Sequence, residues 1–486
     1  MILPRKTATE KAWGDATDRL AAGSLTLLGL WGDPPHVHIA TFDEKTGDIA
    51  VLSYACKNRK YPSVAKRHPP AIRPERTIRD LFGLEAVDAP DTRKWLDHGA
   101  WNARKPAPYE FLPSEGEGLH QIAVGPVHAG IIEPGHFRFT ANGEHVVRLE
   151  QRLGYVHKGI EKLCAGATLD EAAKLAGRAS GDSTVAYSFA FAQAAEAALQ
   201  VKVPLRAVYL RALMAELERL ANHFGDIGAI CNDASFAMMH AHCGILRERA
   251  LRAAEVCFGH RLMMDAIVPG GVARDIAVGG AACLHDLLAE IRRVFPRLIE
   301  LYDNTASLQD RTVGTGIVKP DYARQFGAGG YVGRASGRAF DARRTPGYAP
   351  YDDLSFEVPV LTAGDVDARV WIRIREVEQS LALIDQILKR LPDGKFHAAF
   401  AAKGKAGEGK AGEGKISEGL GLVEAFRGDV LIWLRLDAKG RVARCHLRDA
   451  SWFQWPLLET AVEGNIVADF PLCNKSFNCS YSGHDL

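Results

Sequence analysis

The chain has 486 residues, and 60 Lys and Arg stand against 59 Asp and Glu, a formal net charge of +1. That length holds two or three domains, the 47% apolar fraction suits packed cores rather than disorder, and near-neutrality argues against nucleic acid as the main partner. No apolar run reaches the roughly 18 residues needed to cross a bilayer; the most apolar stretch, Val185 to Leu199, is interrupted by Gln193 and Glu196. Met1-Ile2-Leu3-Pro4-Arg5-Lys6 lacks an apolar core segment, so no signal peptide is expected, and membrane association is expected to come through partners.

Residues 20–54 alternate apolar and polar, which predicts antiparallel strands at Leu25 to Leu30, Val37 to Phe42 and Ile49 to Tyr54, with a turn at Asp43-Glu44-Lys45-Thr46-Gly47. On the second strand His36 and His38 share a face and are expected to be solvated. The basic run Lys57, Arg59, Lys60, Lys66, Arg67, Arg73, Arg76 and Arg79 is expected to be a solvated face or a docking patch. Pro-rich punctuation marks 106–120 as a linker. Strands are predicted near 121–124 and 136–140, with a turn at Asn142-Gly143. The helical period then takes over: Glu144 to Leu163, Leu169 to Ala176, Ser183 to Gln200, Leu205 to Ile230, Met238 to Phe258, Ala281 to Leu301 and Asp365 to Leu391. Pro204 suits the start of the fourth of these.

The pentad Ala-Gly-Glu-Gly-Lys, at 406–410 and again at 411–415, predicts a mobile loop over 403–415. Strands Gly421 to Phe426, Asp429 to Leu436 and Val442 to Leu447 and a helix near Trp455 to Val462 close the pattern. Nine cysteines (Cys56, Cys164, Cys231, Cys243, Cys257, Cys283, Cys445, Cys473 and Cys479) include no C-x-x-C pair, so the chain carries no iron–sulfur or zinc box of its own. The odd count fits a reducing compartment. Gly327 to Gly333 mimics a dinucleotide loop, but its third glycine falls one residue late and no strand–helix unit with an acidic end follows.

Two segments carry the chemistry: Gly177-Arg178-Ala179-Ser180-Gly181-Asp182-Ser183-Thr184-Val185-Ala186-Tyr187-Ser188, and the terminal Asp469-Phe470-Pro471-Leu472-Cys473-Asn474-Lys475-Ser476-Phe477-Asn478-Cys479-Ser480-Tyr481-Ser482-Gly483-His484-Asp485-Leu486. Both resemble the metal-ligand segments of the large subunit of membrane-bound, energy-converting (group 4) nickel–iron hydrogenases, the formate hydrogenlyase and hydrogenase-4 type. The runs Gly125 to Gly130, Glu133 to Arg138, Leu153 to Lys162, Gly259 to Met264, Val268 to Val272, Arg311 to Gly316 and Arg334 to Gly337 extend the likeness. The catalytic core subunit of respiratory complex I, its forty-nine-kilodalton subunit, shares it. Tyr61 to Val64 and Arg76 to Leu84 resemble the thirty-kilodalton subunit of complex I.

The resemblance implies an α+β fold: a small N-terminal α/β domain of the thirty-kilodalton type over 1–105, a linker over 106–120, and over 121–486 a large helical-bundle domain with peripheral strands of the hydrogenase large-subunit and complex I core type. In that family each segment supplies two cysteines, and four thiolates hold the metals. The corresponding positions here are Ser180, Ser183, Ser480 and Gly483. Nickel and low-spin iron need soft thiolates, and a hydroxyl is a hard, poor donor, so no nickel–iron centre is expected. Cys479 is one position off a ligand site, and a one-residue shift turns a side chain away. The chain ends three residues past Gly483, which fits a protein that never receives the metal.

By the same resemblance, His128, Asp182 and Tyr187 are the candidate proton and acceptor residues. Ser183 is also a candidate cap for the helix that follows it. Glu133 and His484 are weak magnesium candidates and more readily partners of one another, and Arg334 is expected to pair with Asp182. The expected function is electron transfer from a 4Fe-4S cluster in a small partner subunit to a quinone-like acceptor. The chain would lie peripherally on the cytoplasmic face of the cell membrane, held by ion-translocating membrane subunits. The alternatives are a non-catalytic structural subunit and a nickel–iron hydrogenase with non-standard ligands.

Overall fold

The computed structural model describes residues 5–99, 101, 108–128, 132–398 and 417–486; the 403–415 run and part of 106–120 lie outside them. The chain divides into two compact units. The first comprises Leu3–Lys158, Gly316–Ala328 and Arg448–Leu486; the second is built mainly from Gly159–Thr315 and Gly329–Leu447.

In the first unit, helix α1 (Glu10–Ala21) begins at Thr9, whose hydroxyl accepts from the Ala12 N–H. Strands β1 (Thr26–Asp33), β2 (His36–Asp43) and β3 (Asp48–Ala55) form the expected antiparallel meander, with the short strand Lys6–Ala8 pairing parallel to β3. Trp13, Leu27, Leu30, Val37, Ile39, Tyr61, Val64 and Ile78 make one core. His38 belongs to that interior rather than to the solvated face expected of it. Its Nδ1 lies 2.7 Å from Ser53 Oγ, and burial pulls its pKa down to about 4 despite Asp33 nearby.

Lys57, Arg59, Lys60, Lys66 and Arg67 are exposed, as expected of the basic run, but helix α2 (Ile72–Phe82) takes up the end of that run and corrects the reading of two of its residues. Arg73 and Arg76 are buried. Arg73 reaches Glu459 at 2.8 Å, and both guanidinium groups stack on Trp95 at 4.7 Å. Strands β4 (Leu119–Val124), β5 (His136–Asn142) and β6 (His145–Arg152) follow as an antiparallel sheet. Strand β6 stands where a helix was expected. The Asn142-Gly143 turn folds it back on β5, and pairing across the hairpin outweighs the local helical period.

The second unit is a helical bundle with one sheet. Helix α3 (Thr184–Leu199) is apolar almost all round and buried. Helices α4 (Leu205–Asp233), α5 (Ala237–Phe258), α6 (Gly280–Asp303) and α7 (Val366–Arg390) match the sequence periods closely, and Pro204 stands at the N-cap of α4. Strands β7 (Ser417–Ala425), β8 (Gly428–Leu436) and β9 (Val442–Arg448) form an antiparallel sheet. On β7, a Cβ at Gly419 or Gly421 would run into the carbonyl oxygen of Ala194 or Ala190. Two glycines facing an alanine stripe let strand and helix backbones touch, which fixes α3 and the turn that feeds it. After β9 the chain returns to the first unit with α8 (Ser451–Val462), the helix Phe470–Phe477 and the terminal turn α9 (Tyr481–Asp485).

Candidate functional site

Ser180 leads into a single 3-10 turn, Gly181–Ser183, and the turn runs directly into α3. Its centre is Asp182. Arg427, in the β7–β8 hairpin turn, donates to Asp182 from both terminal nitrogens, at 2.8 and 2.5 Å, and to the Ser183 hydroxyl at 3.2 Å. Ser180 Oγ donates to Asp182 Oδ1 at 2.8 Å, and Asn222 Nδ2 donates to the Asp182 carbonyl at 2.9 Å. Burial pushes the Asp182 carboxyl up, but Arg427 and the Ser180 hydroxyl outweigh it and hold the pKa below the usual carboxylate range. The bidentate geometry is the strong form of this pairing.

Two expectations are corrected here. Arg334 does not pair with Asp182: it sits in a separate buried network with Glu376 and Glu424, each at 2.8 Å from it, while Glu376 also bonds His223 at 2.7 Å. Ser183 occupies the N-cap of α3 without a side-chain capping bond. The first free N–H groups of that helix are met by a group that the sequence reading missed. Glu218, on α4, accepts from Val185 N at 2.7 Å and Ala186 N at 3.2 Å. Burial, with Asp182 adding to it, pushes Glu218 up to about 8 against those two bonds. Tyr187 is fully buried on α3.

The terminal segment belongs to the first unit. Ser480 is the N-cap of α9, its hydroxyl accepting from Gly483 N at 2.8 Å, and its own N–H donates to Ser451 Oγ at 2.9 Å. A Cβ at Gly483 would stand 2.8 Å from Asp449 Oδ2 and 2.9 Å from Ser480 Oγ. Cys479 is buried, with its sulfur 3.9 Å from Gln454 Oε1, and Cys473 is fully buried. Asp485 accepts from Gly154 N and Val156 N at 2.9 and 3.1 Å, tying the terminus to the Leu153–Lys162 run singled out in the sequence.

Glu133 and His484 are not each other's partners. Glu133 accepts from Ser482 N at 3.1 Å. His484 bonds Asp485 at 2.8 Å and stacks on Trp452 at 4.4 Å, with burial lowering its pKa. His128, also in this unit, is half-buried against Phe137, and burial lowers its pKa. Among the described residues no group of three or more His, Cys, Asp or Glu side chains could hold a metal ion.

The resemblance is matched by wider comparison. The family model described as respiratory-chain NADH dehydrogenase, 49 Kd subunit, matches residues 233–485, and that of the 30 Kd subunit matches residues 36–111. Formate hydrogenlyase subunit 5 of Escherichia coli (strain K12) is 32% identical, over 88% of this chain and 77% of its own. An NADH-quinone oxidoreductase subunit of Roseiflexus sp. (strain RS-1) is 31% identical, over 72% of this chain and 94% of its own. A chain in the structure of the membrane-bound sulfane sulfur reductase, an archaeal respiratory membrane complex, superposes with a TM-score of 0.69 at 25% identity, over 76% of this chain and 99% of that one.

The chain belongs to the 49 Kd subunit family, as a large subunit related to those of group 4 hydrogenases. Its α+β fold joins 30 kDa-type and 49 kDa-type domains, as the resemblance implies. Its relatives are subunits of membrane-bound, complex I-related hydrogenases and quinone oxidoreductases. No helix among its described residues is long and apolar enough to cross a membrane.

Proposed function

We propose that this subunit passes electrons from an iron–sulfur cluster on a small partner subunit to a quinone-like acceptor, without a nickel–iron centre. It would do so on the cytoplasmic face of the membrane, coupled to ion movement by membrane subunits. The observation that carries this reading is the state of the four positions that supply thiolates in hydrogenases. Ser180 and Ser183 are tied to the Asp182–Arg427 pair, Ser480 caps α9, and Gly483 has no side chain and no room for one beside Asp449. None of these is a soft donor, so this donor set does not fit the nickel–iron group and no step is assigned to it.

What remains at the first segment is an ionised carboxylate held by a guanidinium, with a protonatable glutamate close by. Such a pair can accompany electron arrival with proton movement. Glu133 and His484 are each engaged elsewhere, so magnesium has no assigned part.

The test is elemental analysis of the intact purified complex for nickel and iron, with hydrogen uptake and quinone reduction measured in parallel. The expected result is iron at the level of the partner's clusters, no nickel, no hydrogen uptake, and quinone reduction. Nickel near one atom per chain with hydrogen uptake would overturn the reading. Loss of both activities in a fully assembled complex would replace it with a structural role.

A further inference from the structure

Glu218 is one of two glutamates in the stretch Ala215-Glu216-Leu217-Glu218-Arg219, and the two are used differently. Glu216 is surrounded by donors: Arg343 at 2.9 Å, Tyr351 at 2.7 Å and Ser380 at 2.6 Å, with Arg219 at 3.3 Å, and these hold its carboxyl down against burial. Glu218 has no cation in hydrogen-bond reach among the described residues. Its bonds come from two backbone N–H groups at the start of α3.

Beside Glu218 is a void of about 20 Å³, lined on its polar side by Asp182, Glu218, Asn222, Arg247 and Arg261. That is room for about one water with several polar partners. The charged groups facing it are accounted for. Asp182, from the turn before α3, is paired with Arg427; Arg261 is paired with Glu248 at 2.8 Å; Arg219 lies on the same helix and is committed to Glu216 and the carbonyls of Glu424 and Ala425. Arg247, on α5, is the remaining lining cation.

We propose that Glu218 is a proton-holding site for the acceptor reaction, exchanging its proton through one water in this void toward Asp182. The proposal deepens the electron-transfer reading above and rests on it. In the step, the O–H bond of the Glu218 carboxyl breaks as an O–H bond to the water forms, and an O–H bond of that water breaks as its proton passes, by way of Asp182's hydrogen-bonding edge, to an oxygen of the quinone-like acceptor that has taken up the electrons. Electrons come from the partner's iron–sulfur cluster, Asp182 stays ionised beside Arg427, and the Glu218 carboxylate left behind is held by the Val185 and Ala186 N–H groups until it is reprotonated. The same burial that raises its pKa to about 8 keeps a proton on it at neutral pH.

The test uses the intact complex. The infrared difference between wild type and Glu218→Gln should contain the carbonyl stretch of an un-ionised carboxylic acid at neutral pH. The band should titrate away with a midpoint near 8 and shift in D2O. Ala221→Leu, which fills the void, should slow that exchange by about tenfold by expelling the bridging water. Quinone reduction by Glu218→Gln should fall and lose its alkaline limb, with Glu218→Asp restoring part of it. A missing band, a midpoint in the ordinary carboxylate range, exchange unaffected by Ala221→Leu, or unchanged turnover in Glu218→Gln while wild type reduces quinone would each overturn the proposal. Wild-type complex that reduces no quinone would overturn the electron-transfer reading instead, and the infrared and exchange results would still decide whether Glu218 exchanges its proton.

Discussion

The two serine segments, Ser180–Ser183 and Ser480–Gly483, are built differently. At Ser180–Ser183 the hydroxyls gather around an ionised pair, so the place stays polar, charged and partly open: the Asp182 side chain keeps 36% of its exposure while Arg427 keeps 4%. At Ser480–Gly483 the hydroxyl caps a helical turn, and glycine lets the Asp449 carboxylate approach to where a side chain would stand. The first segment retains groups that can hold charge or protons. The second has become structure. On the proposed reading, loss of metal ligands need not erase chemistry evenly, and the half kept polar is the half beside Glu218.

Substitutions at the two segments should behave as differently as the segments do. Arg427→Ala should have the largest effect, because it strands a partly buried carboxylate. A loss of roughly 2–3 kcal/mol is expected, below that for a fully buried pair because Asp182 still meets solvent, read as a lower thermal midpoint of the purified complex. Lysine at 427 keeps the charge but not the two-pronged donor and should restore only part.

Gly483→Cys comes next. Its Cβ would be 2.8 Å from Asp449 Oδ2, and overpacking of this kind costs about 1–3 kcal/mol. If the variant were as stable as wild type, the claim that this segment has closed around glycine would fail. Ser480→Ala should cost about 1 kcal/mol, the worth of one helix cap, and should leave quinone reduction unchanged in its pH profile. A shifted profile would mean the terminal segment is chemical after all.

Much of this was legible in the chain. The long helices α4 to α7 carry clean periods, and both serine segments could be aligned from their neighbours alone. What escaped has a common cause, which is that the deciding partner lies far off in sequence. Arg73 reads as a solvated base until Glu459 is placed beside it, 386 positions later. Strand β6 reads as helix until β5 is paired with it. Arg427 is visible only as a turn residue, although it sets the charge of Asp182. Glu218 is one glutamate among many on α4, and its role follows from the orphan N–H groups of α3, which no local pattern on α4 reports. The signal that could have found it was Ser183 followed by an apolar run with no acidic residue in the first helical turn, a start that needs an anion from elsewhere.

The smallest predicted effect is the sharpest test of the comparison. Asp182 has its folded-state pKa held below the unfolded value, so its pairing contributes stability that is fully present above the unfolded pKa of about 3.9 and is lost as pH falls through the lowered value. Without Arg427, burial leaves the Asp182 carboxyl above the ordinary carboxylate range, so the deficit of Arg427→Ala relative to wild type should be level at neutral pH, begin to shrink as pH falls through that raised value, and go on shrinking until wild-type Asp182 is itself protonated. The deficit of Ser480→Ala involves only a hydroxyl and a backbone N–H and should stay level over the same range. Thermal midpoints of both variants through the acid range would show it. Two parallel curves would mean that Asp182–Arg427 is no more a charged site than the cap at Ser480, and the distinction drawn between the two segments would collapse.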